Sequence, residues 1–237
     1  MNIDDPVSYT HLVHFLHSEN MHAIARIAMF RDQRMVTEHP ELAVQSKRTK
    51  EPWRENGKLV WTDPSNSKVQ DYDIALAKFV AQSGADEIQF DYVRFPAEGD
   101  QKDASFVYQT GEEGSHQIAG SNSPCGDGHL GRRPNAKRGG TGKEPSACKT
   151  ESPYTLQRSD VITAFLEKAY AELHPTGVLL SLDVFGVMAW QRPVDLSHTG
   201  QDIVGMAKYC DVLSPMIYPS HFFGMDNICL LYTSRCV

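Results

Sequence analysis

The connections between segments constrain the fold of this 237-residue chain more than any single motif does. Four segments read as strands: HAIARIAMF (22–30), DEIQFDYVRF (86–95), VLLSLDVFG (178–186) and DVLSPMIYPS (211–220). Between them lie three helical patterns, SKVQDYDIALAKFVAQSG, LQRSDVITAFLEKAYAELHP and QDIVGMAKYC, and a short one, LVHFLHSEN, precedes the first strand. Strands alternating with helices imply a parallel sheet with helical crossovers. Each helix runs into the next strand within a few residues, whereas strands are followed by much longer connections. Such asymmetry builds a site at the carboxyl ends of the strands, in (β/α)8 barrels and doubly wound sheets alike. No Gly-x-Gly-x-x-Gly follows any strand, so the expectation is the (β/α)8 TIM barrel. A full barrel takes about 250 residues, so about four βα units would form the middle of an incomplete one.

The helical patterns carry apolar stripes. Val69, Tyr72, Leu76, Phe79 and Val80 are expected on one face, with Asp63-Pro64 as the start signal and Gly84 as the stop. Val161, Phe165, Leu166, Ala169 and Leu173 line the next helix, which Pro175 and Gly177 end. A content of 41% hydrophobic and 22% charged residues is that of a globular chain. A net charge of −7 argues against a nucleic-acid partner, which needs a basic surface. No apolar run is long enough for a membrane span.

Both ends resemble translated adapter. VSYTHL (7–12) and CLLYTS (229–234) are the third-frame and second-frame translations of one string, CTGTCTCTTATACACATCT, a transposon adapter used in sequencing libraries. Residues 1–12 and 229–237 are therefore set aside as artefact. The domain expected is 13–228, a fragment of a longer protein whose own leader would lie upstream. Cys229 and Cys236 fall in the excluded tail. Cys125, Cys148 and Cys210 form no C-x-x-C pair and suggest neither zinc nor redox chemistry. A Cys125–Cys148 disulfide and two free thiols both stay open.

Residues 99–152 hold ten of the 17 glycines, no periodicity, and basic residues at Arg132, Arg133, Lys137, Arg138 and Lys143. They read as a flexible insertion, with a substrate lid or a polyanion-binding arm as the sharper alternative. GGTGKE lacks the first glycine and the hydroxyl residue of a phosphate loop. His14 and His17, three apart on the short helix, read as surface residues.

Strand parity carries the chemistry. Ile88, Phe90 and Tyr92 would face the helices, leaving Gln89 and Asp91 on the inner side. Leu180, Leu182 and Val184 would do the same in the next strand, leaving Ser181 and Asp183 inward. On strands ~4.8 Å apart the two carboxyls could stand roughly 5–9 Å apart, the span used by glycosidases. One aspartate would be nucleophile or water-activating base and the other a general acid. The alternative is that each caps a loop or pairs with an arginine, Arg26 or Arg94. Aromatic residues gather in the same loops: Trp53, Trp61, Trp190 and Tyr218, with His221 beside them. Their faces suit the apolar faces of sugar rings.

Six stretches in order resemble a known bacterial family, the putative glycosyl hydrolase domain: AIARIAMFRDQ, PELAVQS, PWRENGKLVWTDPSNSKVQDY, DEIQFDYVRFP, LSLDVFG and DVLSPMIYPSHF. The resemblance covers about 13–98 and 154–228. It implies a glycosidase-like TIM barrel, hydrolysis of a glycosidic bond in a poly- or oligosaccharide, and an extracellular or envelope location. By position in these motifs, Asp91 and Asp183 are the expected catalytic residues, and Arg26, Asp63, Arg94 and Tyr218 are expected to line the site. No cofactor or metal is implied. The glycine-rich insertion is longer than the family leads one to expect, and strands before 22 and after 220 are missing from the pattern. A non-catalytic carbohydrate-binding barrel remains the alternative, and a barrel using Asp91 and Arg94 on a charged substrate is a third.

Overall fold

The computed structural model describes residues 6–110 and 155–218. The elements below belong to the unit formed by Met1–Gly114 and Leu156–Val237. A second unit, Ser115–Thr155, lies almost wholly outside the described residues. Cys125, Cys148, the five basic residues of the insertion, His221 and 229–237 also lie outside them. The order is α1 (Pro6–Ser18), β1 (Ile24–Ala28), α2 (Gln33–Glu38), β2 (Gln45–Ser46), β3 (Arg54–Glu55), β4 (Leu59–Val60), α3 (Ser67–Gln82) and β5 (Glu87–Asp91). It continues with β6 (Ala104–Ser105), α4 (Val107–Thr110), α5 (Arg158–Leu173), β7 (Leu179–Phe185), α6 (Pro193–Thr199), α7 (Ile203–Met206) and β8 (Val212–Met216). Helix α1 takes in part of the adapter-like stretch.

The four expected strands form one parallel sheet in the order β1-β5-β7-β8. The chain is therefore α/β, and among the described residues β1 and β8 are the edges of an open sheet. One face is apolar: Ile88, Phe90, Leu180, Leu182 and Val184 are almost fully buried. Helix α5 covers it with Val161, Ile162, Phe165, Leu166, Ala169 and Leu173, five of which were expected there. Phe165 is the hub, with ring centroids 5.0 Å from Phe30 and 6.2 Å from Phe90. Each side chain of this size contributes about 1.5–3 kcal/mol relative to exposure.

Helix α3 departs from expectation in its caps and its face. The start is Asn66, whose side chain accepts from Lys68 N, and Asp63 acts one turn earlier. Val69, Asp73, Ile74 and Ala77 are buried, whereas Tyr72 and Phe79 are about half exposed. Both sets fit helical spacing. The buried one holds a carboxylate, so an apolar count selects the other.

The long connections are packed rather than loose. The loop after β1 contains α2 and the β3–β4 ribbon, and it buries Val44, Trp53, Val60 and Trp61. Residues 99–110 fall in the stretch expected to be a flexible insertion. Their β6 pairs antiparallel with β2, Ala104 and Phe106 are buried, and Asp103 accepts from Ser46 Oγ at 2.8 Å. The expectation of flexibility is corrected for this part; residues 111–152 lie outside the described residues. An unforeseen helix, α6, precedes α7.

Candidate active site

The opposite face of the sheet carries the polar residues. Register pairs Arg26 with Gln89 and Gln89 with Ser181, and one step further along the same face pairs Ala28 with Asp91 and Asp183 with Ser214. Asp91 and Asp183 each stand two residues after the Gln89–Ser181 pair, so they sit at one level on adjacent strands. Both are almost fully buried.

Arg26 connects them. Its Nη2 donates to Asp91 Oδ2, and its Nε lies 3.4 Å from Asp183 Oδ2. Nitrogens of one guanidinium are about 2.3 Å apart, so the bridged oxygens lie within roughly 8–9 Å of each other. Gln89 Nε2 donates to Asp183 Oδ1 at 3.0 Å, which orients that carboxylate from below. Burial and the neighbouring Asp91 push the Asp183 carboxyl above the usual carboxylate range, with Arg26 opposing. The Arg26 guanidinium is held charged more firmly by Asp91.

Strand β5 ends at Asp91 because Tyr92 turns into the left-handed region, at φ 58°. Few residues with a Cβ adopt that conformation. Here Asp91 Oδ1 accepts from Tyr92 N at 2.7 Å and supports the turn. The turn corrects the parity expectation for Tyr92: the ring lines the cleft instead of facing the helices. Its hydroxyl accepts from Arg31 Nη1 at 2.6 Å.

A cleft of about 220 Å³ opens over this end of the sheet, lined among others by Arg26, Arg31, Asp91, Tyr92, Arg94 and Tyr218. Arg94 sits in an aromatic box, 4.6 Å from the Phe185 centroid and 4.8 Å from that of Trp61. Loss of hydration lowers its pKa, and the charge of Glu55 opposes this most. Glu55, itself buried, accepts from Trp61 Nε1 at 2.9 Å and from Glu98 N at 3.0 Å. Gln201 joins the two strand ends from behind: its Oε1 accepts from Phe185 N at 3.2 Å, and its Nε2 donates to Val93 O at 3.4 Å.

Five expected site residues meet in the cleft: Arg26, Trp61, Asp91, Arg94 and Tyr218, with Asp183 joined through Arg26. Trp61 is fully buried beneath Arg94 and Tyr92, so its ring supports the wall rather than offering a sugar platform. Trp53 is placed in the core, where it packs against Gly99. Asp63 is buried as a turn residue that accepts from Ser65 N, Ser65 Oγ and Val107 N. Trp190 is 43% exposed, at the end of the turn after β7 and outside the cleft lining. Arg31, Glu55, Tyr92 and Gln201 were missed; the first three lie inside the motifs quoted above, where strand parity does not single them out, and Gln201 lies in none of them. Among the described residues no group of three or more His, Cys, Asp or Glu is placed to hold a metal ion.

The family model for the putative glycosyl hydrolase domain matches residues 3–229. The chain belongs to this family. No curated protein matches the sequence. Among solved structures, a hypothetical protein of Ruminiclostridium thermocellum is 30% identical with a TM-score of 0.49, over 74% of this chain and 65% of that one. The maltogenic alpha-amylase AmyB of Thermotoga neapolitana is 13% identical with a TM-score of 0.43, over 86% of this chain and 30% of that one. The alpha-galactosidase of Thermus thermophilus is 13% identical with a TM-score of 0.38, over 73% of this chain and 26% of that one. The family member described here thus spans less than two thirds of the length of each.

Proposed function

We propose that this chain is the central part of a (β/α)8 glycoside hydrolase that cleaves a glycosidic bond in a poly- or oligosaccharide, with Asp91 and Asp183 as its carboxylate pair. The observation that carries the reading is the bridge: two buried aspartates at one level, on adjacent parallel strands, meeting one guanidinium. A like charge held close raises the pKa of a buried carboxyl. Asp183, whose carboxyl is raised by burial and by Asp91, is the general acid that protonates the leaving oxygen. Asp91, which accepts from Arg26 and Tyr92 N, is the nucleophile or water-activating base. The shared guanidinium limits their separation to roughly 8–9 Å, which admits either a retaining or an inverting arrangement. An extracellular or envelope location goes with this reading.

Hydrolysis of an oligosaccharide panel by the intact chain, Asp91→Asn and Asp183→Asn tests it. Each substitution should abolish turnover while leaving the fold intact by circular dichroism. Full turnover in either variant removes that residue from the mechanism. The second reading, a non-catalytic carbohydrate-binding barrel of the cell envelope, draws on the protein donors that each aspartate already has. It requires glycan binding without turnover, surviving both substitutions and lost on replacing Tyr92 or Tyr218.

A further inference from the structure

The cleft contains a cation that the catalytic pair does not use. Among the described residues Arg31 has no carboxylate partner; it donates to the Tyr92 hydroxyl and lies with its guanidinium 4.8 Å from that ring's centroid. The acids lining the cleft are engaged elsewhere: Asp91 with Arg26 and Tyr92 N, Glu55 with Trp61 and Glu98 N, and Glu98 with Asn56 at 2.8 Å. Arg26 differs, since it is neutralised by two aspartates. Arg94 sits over aromatic rings and gives Nη1 to Phe95 O at 3.0 Å.

A guanidinium carries five N–H donors in a planar fork that matches a carboxylate or sulfate in two parallel hydrogen bonds. Arg31 commits one nitrogen to a phenol, which also fixes its direction, and keeps the others for the cleft. From this we infer that Arg31 selects an acidic sugar, one bearing a carboxylate or sulfate, in the subsite beside Asp91; the inference rests on the glycoside hydrolase reading above. The acid group would meet Arg31 while the ring lies along Tyr92. In a chain of net charge −7 a polyanion gains nothing from the overall field, so the preference is local to this residue.

The test is calorimetric titration of the intact chain and of Arg31→Gln at low salt. The probes are galacturonate and glucuronate tetramers, the same tetramers carboxyl-reduced, and a sulfated neutral tetramer. The intact chain should bind at least one anionic probe tenfold or more tighter than its neutral counterpart, and Arg31→Gln should bring that ratio close to one. Uronate or sulfate preference identifies the acid group. Equal affinity for charged and neutral probes in the intact chain overturns the inference whether or not the variant folds, as does a preference that survives Arg31→Gln. Binding of no probe, alongside cleavage of another neutral glycan from the panel, overturns this inference alone. Absence of binding to any sugar overturns the glycoside hydrolase reading with it.

Discussion

Arg26 and Asp183 face each other across β5: a guanidinium from β1 reaches over Gln89 to a carboxylate on β7, with 3.4 Å between Nε and Oδ2. The same guanidinium holds Asp91, so one side chain ties the pair together. Arg26→Met should lower turnover by about 10²–10³-fold, the scale of losing one well-aimed donor. Without Arg26 the Asp183 carboxyl rises further, because burial and Asp91 then act unopposed. A general acid works in its protonated form. The alkaline limb of the pH profile of kcat/KM should therefore move to higher pH, and a shift to lower pH would contradict the assignment.

Arg94 should not tolerate lysine. Its guanidinium is sandwiched near Trp61 and Phe185 and is largely desolvated. A lysine keeps the charge but has no planar face to stack, so Arg94→Lys should cost roughly 1–2 kcal/mol in urea unfolding. Unchanged stability would show that the box binds charge alone.

Gln201 is a positioning residue for both strand ends. Gln201→Leu leaves Phe185 N and Val93 O without their side-chain partner in a buried setting, at about 1–3 kcal/mol. If its role is to hold β5 and β7 in register at the site, kcat should fall with KM little changed. Gln201→Glu, which retains the acceptor, should recover part of the loss.

Asp73 makes stability fall with rising pH. Burial first, and the charge of Asp32 second, raise its carboxyl from 3.8 to about 8, and its Oδ2 has no hydrogen-bond partner. Between those values the folded protein keeps the proton and the unfolded chain loses it. Stability contributed by the neutral form is complete below the lower value and declines towards the upper one, by about 4 kcal/mol between pH 4 and pH 7. Asp73→Asn should match the parent near pH 4 and exceed it by a few kcal/mol at pH 8, measured by urea unfolding at both. Parallel curves for the two proteins would contradict the assignment.

The parallel strands, helix α5 and the inward aspartates were legible because each rests on short-range periodicity. Asp91 and Asp183 emerge from alternation within single segments, and the face of α5 from five spaced apolar residues. The face of α3 was not legible, because Asp73 occupies a buried position and Tyr72 an exposed one. The wall of the cleft was hidden for another reason. Pairs such as Ser46–Asp103 and Glu55–Glu98 join residues more than forty positions apart and leave no local pattern. Tryptophans in polar loops suggested sugar platforms, yet those loops fold onto themselves and bury Trp53 and Trp61. Arg31 lies in a short turn between a strand and a capped helix, where no periodicity marks it.

The most direct test of the central claim compares leaving groups. Intact chain, Asp91→Asn and Asp183→Asn are assayed on a dinitrophenyl glycoside, which departs without protonation, and on the corresponding oligosaccharide, which does not. If Asp183 is the general acid, Asp183→Asn should retain most of its rate on the dinitrophenyl substrate and lose about 10²–10⁴-fold on the oligosaccharide. Asp91→Asn should lose both. Equal losses on the two substrates in Asp183→Asn, or undiminished hydrolysis of the oligosaccharide by either variant, would contradict the carboxylate-pair account.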